Sequence, residues 1–233
     1  MRGLGHGLVT VCAALTITAS VVRAESARID IDRPSLSNST STVPPGALQI
    51  ESGVESSRTR VGGSPAERQL SLDVTLRGLT ERLEVRLDGE PLVVTRGLHD
   101  DTGNDDLSLQ AKYRFYDGRE WTWWPSLGVL PFVTFPIAHA PHGTNVPDFG
   151  LAGLASFDLP RGLSLDANAA LGGLGVFFAS AAERGAHGPV GVDAGVEFFL
   201  TRRIAFDVAG QTSLAGPGPD YSFRAGLSVR FGR

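Results

Sequence analysis

Cysteine, methionine and long apolar runs are what this 233-residue chain has least of. It carries one Cys and one Met. A lone Cys has no partner within the chain, so no internal disulfide framework holds the fold. Beyond the first two dozen residues no uncharged apolar run approaches the about 20 residues that a membrane-spanning helix needs, which excludes a helical membrane bundle. Positive charge is not in excess either. The 21 Lys and Arg against 25 Asp and Glu leave a formal −4, and that balance argues against a nucleic-acid partner. What is abundant is Gly, at 29, and Phe, at 12, a composition suited to strands and tight turns. A β protein remains, either soluble or a membrane barrel.

The one apolar run reads as an export leader. Arg2 supplies a positive start, Leu8 to Val22 an uncharged apolar stretch, and Val22-Arg23-Ala24 the small or branched residues that signal peptidase reads, so cleavage is expected after Ala24. Cys12 would leave with this segment, and a Cys-free exported chain then needs another source of stability, such as a closed ladder of backbone hydrogen bonds. The expected organisation is a leader over 1–24, a polar arm over 25–46 and a barrel over 47–233. The arm, with Ser35, Ser37, Asn38, Ser39, Thr40 and the turn Pro44-Pro45-Gly46, has too little apolar surface for a core of its own.

From Ala47 onward the chain alternates with period 2. Leu48, Ile50 and Val54 oppose Gln49, Glu51 and Glu55; Leu70, Leu72, Val74 and Leu76 oppose Gln69, Ser71, Asp73, Thr75 and Arg77; Leu83, Val85 and Leu87 oppose Glu84, Arg86 and Asp88. Leu107 to Phe115 alternates with Ser108, Gln110, Lys112 and Arg114, and Tyr221 to Phe231 with Ser222, Arg224, Ser228 and Arg230. Further strands are expected near 127–135, 149–159, 163–171, 190–198 and 204–208, giving ten, with twelve as the alternative. Tight links (Gly78 to Arg82, Pro160 to Gly162, Leu200 to Arg203) alternate with long segments (Gly89 to Asn104, Ala138 to Pro147, Gly173 to Pro189, Thr212 to Pro219). Short turns at one end and long loops at the other are the habit of antiparallel up-and-down transmembrane β-barrels. A soluble barrel would alternate as well, with its apolar face inward. Runs of about 9 to 11 residues favour the membrane case, since soluble strands usually have about 5 to 6. Trp121, Trp123 and Trp124, at a short link, suit an interfacial girdle.

Particular stretches carry a family resemblance. Asp32-Arg33-Pro34-Ser35, Thr42 to Gly53, Gly78 to Arg86, Asp106 to Arg114, Leu130 to Pro136 and Leu159 to Leu165 together resemble the bacterial outer-membrane barrel family named for a MetA pathway of phenol degradation, also described as transporters. The resemblance spans nearly the whole chain after the leader. It implies an outer-membrane barrel, in contact with lipid and lipopolysaccharide and inserted by the barrel-assembly machinery, that transports small, aromatic or apolar compounds.

With polar faces inward, the lumen-lining candidates are Glu51, Asp73, Arg77, Glu84, Arg86, Lys112, Arg114, Asp193, Glu197 and Arg224. Charges this numerous inside a barrel must pair or stay wet. Cross-strand ion pairing is their first expected role, and guidance of a solute the second, with the arm as plug. Ten strands imply a narrow lumen, because open channels need about 16 to 18. Two other function classes compete: a structural barrel that displays loops without transport, and an outer-leaflet enzyme. For the latter, His99, His139, His142 and His187 lie in segments expected as loops, but no G-x-S-x-G, HExxH or Walker pattern is present. No cofactor and no metal is expected.

Phe231, the last apolar residue of the final alternating run, is the expected assembly signal. Phe231→Ser should lower the amount of protein inserted in the outer membrane while the inserted fraction keeps wild-type properties, as measured by quantitative blotting of membrane fractions.

Overall fold

The computed structural model describes residues 10–19, 29–32, 38–61, 64–97, 100–120, 122–139, 142–143, 145–159, 163–172, 190–215 and 219–232. Among these residues the chain is all strand and loop, with thirteen strands: β1 (Thr10–Ala19), β2 (Leu48–Val61), β3 (Ser64–Gly78), β4 (Leu83–Gly89), β5 (Val93–Arg96), β6 (Asp101–Gly103), β7 (Leu107–Tyr116), β8 (Ser126–Phe135), β9 (Asp148–Leu159), β10 (Leu163–Gly172), β11 (Val190–Phe199), β12 (Ile204–Ala215) and β13 (Tyr221–Phe231). The ten alternating runs are β2, β3, β4 and β7 through β13, each antiparallel to its chain neighbour where the two pair. β2 pairs with β13 on one side and β3 on the other, so the ladder returns on itself. Thr10–Ala19, within the stretch read as a leader, lies between β10 and β11, antiparallel to the first and parallel to the second.

The interval Gly89 to Asn104, expected as one long loop, holds two short strands, β5 and β6. Pro91 has no N–H to offer the ladder, so pairing stops after Gly89. It resumes in β5, which pairs with β3 over Glu67–Leu70 and with β6 in a short hairpin. β2 and β3 are also longer than expected, at 14 and 15 residues.

Outward faces are apolar on most strands. Ile50 and Val54 on β2, Leu87 on β4, Leu109, Tyr113 and Phe115 on β7, Phe149 and Leu151 on β9, Val196 and Phe198 on β11, Phe206 and Val208 on β12, and Phe223, Leu227 and Phe231 on β13 are all exposed. Polar side chains on the opposite faces are buried, among them Gln49, Glu51, Glu84, Arg86, Lys112, Asp166, Asp207, Ser222, Ser228 and Arg230. A soluble barrel would show the reverse.

β3 is the exception and corrects the expected phase. Its Leu70, Val74 and Leu76 are buried and Arg77 is exposed. In the ladder Glu51 stands opposite Val74 and Gln49 opposite Leu76, while Leu48 stands opposite Arg77. Arg77 is therefore on the outer face and is not a lumen residue; Asp73, four positions before it, pairs with Ser52 and Gly89, and its side chain lies outside the described residues. The physical reason is inside the barrel: Val74 and Leu76 pack against Val43 and Ala47 of the arm in one buried apolar cluster. An apolar inner stripe is what receives the arm's aliphatic residues, and a one-position change of phase exchanges the faces completely.

This phase can be read by spin labels in a bilayer. A nitroxide at Thr75→Cys should be accessible to lipid-dissolved oxygen, and one at Val74→Cys should be shielded; the opposite pattern would restore the expected phase.

Candidate functional site

The described arm residues, 29–32 and 38–46, with Ala47 at the junction to β2, lie among the inward side chains near the strand ends that carry the short links. Pro44-Pro45-Gly46-Ala47 makes the last bend before β2. Ala47 N donates to Pro44 O at 3.0 Å, and Gly46 at φ 79° supplies the left-handed position that a type II turn needs after its Pro. The arm crosses the end of β3 so closely that a Cβ on Gly78 would stand 2.2 Å from the carbonyl oxygens of Val43 and Pro44. Glycine is required at this crossing. At its other described end, Ile29 N donates to Arg202 O at 2.9 Å, and Ile29 and Ile31 pack on Ala205 and Phe199.

Between these anchors Asp32 forms the charged centre. Its Oδ2 accepts from Arg86 Nη1 at 2.9 Å and from Lys112 Nζ. Its Oδ1 accepts from Ser39 N and Oγ, both at 3.1 Å. Lys112 Nζ also donates to Ser41 O at 2.9 Å and lies 3.3 Å from Glu84 Oε1. Glu84 Oε2 in turn accepts from Val43 N at 2.7 Å, and Arg86 Nη1 donates to Asn38 Oδ1 at 2.7 Å. The Asp32, Arg86, Lys112 and Glu84 side chains are at most 6% exposed, and burying charge is tolerable only with this degree of pairing. Burial alone would push the Asp32 carboxyl up; the charges of Lys112 and Arg86 outweigh it and hold the group below the ordinary carboxylate range. Further round the wall, Thr40 N donates to Ser156 Oγ at 2.8 Å and Gln49 Nε2 to Asp30 O at 2.6 Å.

Of the residues singled out from sequence, Glu51, Glu84, Arg86 and Lys112 come together around the arm. Arg114 is half-buried nearer the rim, 2.9 Å from Asp117, and donates to Glu81 O. Arg224 pairs with Glu55 across β2 and β13 and donates to Gln211 Oε1 at 2.8 Å, farther from the arm. Glu197 stands opposite Asp207 on β11 and β12; Asp193 is in β11, with its side chain outside the described residues. Trp123 and Trp124 are exposed, at 72% and 61%, and Trp123 meets Phe157 edge to face at 6.4 Å. Trp121 lies outside the described residues. Phe231 is exposed, opposite Leu48. His142 Nε2 lies 3.3 Å from Asp101 and packs where a Cβ on Gly103 would be; His99 and His187 lie outside the described residues.

Sequence reasoning missed Asp32, Asn38 and Ser39 as site residues, because a polar arm carries no period to show which way a side chain turns. A second centre was also missed, at the long-loop end. Arg68 Nη2 donates to Glu90 Oε2 at 2.9 Å and to Asp105 Oδ2 at 2.7 Å. Asp105 N donates to Glu90 O at 2.9 Å, which holds the two acidic residues side by side across the interrupted ladder. Burial pushes the Glu90 carboxyl up, Arg68 pulls against it, and the hydrogen bond and charge of Asp105 add to the rise, which reaches about 7.

A family model described as "Putative MetA-pathway of phenol degradation" matches residues 31–172. Among solved structures, the COG4313 outer membrane channel from Pseudomonas putida F1 superposes with a TM-score of 0.62 at 16% identity, over 82% of this chain and 98% of that chain. The outer membrane protein OprG from Pseudomonas aeruginosa gives a TM-score of 0.33 at 12% identity, over 84% of this chain and 100% of that chain. None of the curated proteins matches in sequence.

Glu90 sets a pH dependence with a definite sign. Between its ordinary 4.5 and about 7 the folded protein holds a proton that the unfolded chain has released, so this contribution is complete below that window and is lost as pH rises through it. Glu90→Gln should flatten the decline by on the order of 2 kcal/mol, measured as the difference between variant and wild-type urea midpoints at pH 5 and pH 8.

Proposed function

The chain belongs to the family described as "Putative MetA-pathway of phenol degradation" and folds as an outer-membrane β-barrel, and on that premise we propose that it is a narrow channel for small, aromatic or apolar compounds whose N-terminal arm closes the lumen. The observation that carries the reading is the arm itself. A segment with no core of its own spends its buried polar atoms on inward groups of β2, β4, β7 and β9. A purely structural barrel of this size can be filled by its own side chains and has no need of a polar insert. The resting state is closed because the arm pairs Lys112 and Arg86, and opening requires those contacts to be exchanged for others.

Export proceeds with loss of residues 1–24. Once Thr10–Ala19 is gone, β10 and β11, which run in opposite directions, pair directly and complete a ten-stranded antiparallel ring. That the structurally similar P. putida protein is an outer membrane channel supports this reading, and so does the apolar inner stripe of β3.

Planar-bilayer conductance and liposome permeation test it. Deleting residues 25–46 should raise single-channel conductance at least tenfold over the closed wild type and admit small aromatic solutes. If neither protein passes ions or any aromatic solute, the barrel is a structural or display element and the channel reading fails.

A further inference from the structure

The arm holds two of its groups where a solute could stand. Arg86 is 3% exposed, and its Nε has no hydrogen-bond acceptor among the described residues. Asp32 meets this guanidinium through one oxygen, at Nη1, because its other oxygen is taken by Ser39. A carboxylate with both oxygens free could engage a guanidinium edge in two parallel bonds, the geometry Arg favours. Apolar surface stands on both sides of the cations. Leu76 is directly opposite Arg86 in the ladder and, with Val74, is covered by Val43 and Ala47 of the arm. Lys112 lies between the Gln110–Phe132 and Tyr113–Val129 pairs, at the level of Leu130, which forms a second buried apolar cluster with Ala152 and Leu154.

We propose that Arg86, Lys112, Val74 and Leu76 form a lumenal binding site for small amphipathic carboxylates, aromatic or aliphatic, and that Asp32, Val43 and Ala47 occupy it as an internal surrogate. The incoming carboxylate replaces that of Asp32 on Arg86 and Lys112, and its apolar body replaces the arm's aliphatic side chains on Val74 and Leu76. The inference rests on the reading of the arm as a displaceable plug and adds the chemistry that displaces it. A neutral alcohol of the same shape takes away the carboxylate that Arg86 and Lys112 share and leaves Lys112 with Glu84 alone, which is unfavourable. An amine adds a third positive charge. A tethered surrogate competes at an effective concentration in about the mM range, so loosening the arm must raise the apparent affinity for a free carboxylate.

Phenylacetate, 2-phenylethanol and 2-phenylethylamine are the probes, titrated calorimetrically into the full-length barrel purified from outer membranes. Phenylacetate should bind at least tenfold more tightly than the other two. Asn38→Ala, which loosens the arm without removing a charge, should tighten phenylacetate severalfold, and Arg86→Gln should weaken it at least tenfold. In the barrel without residues 1–24, which has no other Cys, Thr40→Cys, buried in the resting arm with its backbone held by Ser156, should react faster with a maleimide when phenylacetate is present and unchanged with 2-phenylethanol. Equal binding of the three probes, or labelling indifferent to phenylacetate, overturns the proposal; if Arg86→Gln does not fold, the Asn38→Ala and Thr40→Cys measurements decide it. Binding in this pattern without conductance would leave the site standing and remove the channel. Conductance without selective phenylacetate binding would remove the site alone.

Discussion

A strand in hydrocarbon has no water to hydrogen-bond its backbone, so its sheet must close. β2 meets that requirement by pairing with β3 on one edge and β13 on the other. Closure then imposes the rest. It divides every strand into an outward and an inward face, gives the outward one to Phe, Leu and Val on most strands other than β3, and encloses charges that can no longer find solvent freely. Those enclosed charges need partners, and part of the pairing is delegated to a segment that belongs to no strand.

The distribution of enclosed charge explains why that segment is seated where it is. β4 and β7 contribute Arg86 and Lys112, while β10, β11 and β12 contribute Asp166, Glu197 and Asp207 without an intervening Lys or Arg on their inward faces. Like charges opposite one another, as Glu197 and Asp207 are, weaken a ladder. The wall that carries Arg86 and Lys112 draws the arm's Asp32, while Ile29 and Ile31 pack by the apolar end of the acidic wall, on Ala205 and Phe199. The arm is thus held by complementary chemistry on two sides of the lumen rather than by a single strong bond.

Much of this was legible in the amino acids. Period-2 runs such as Tyr221 to Phe231 located ten of the thirteen strands, and Pro44-Pro45-Gly46 marked the bend. The direction of β3 was not legible, because Leu70, Leu72, Val74 and Leu76 alternate identically whether they face lipid or lumen; the arm's Val43 and Ala47 decide it, and they are distant in kind from any strand pattern. Nor did the sequence separate Asp32 from its polar neighbours. Its significance comes from Arg86 and Lys112, 54 and 80 residues away, a relation created only by closure. The Arg68, Glu90 and Asp105 centre was hidden for a related reason: Pro91 interrupts the pattern there, and Glu90 and Asp105 lie in connections between strands, where no period shows which way a side chain turns.

The same long separations give the arm a place in time. Its hydrogen bond from Thr40 reaches Ser156 across 116 residues, and Ile29 reaches the turn before β12, so these two contacts exist only after the strands that carry them have assembled. Contacts between distant parts of a chain are slow to reward the entropy of bringing them together, and a segment stabilised by them alone opens at a lower free energy than the ladder that surrounds it. On the proposed reading of the arm as a plug, the segment that fills the lumen is the last to settle and the first to let go, and the interior unlatches without the melting of a strand.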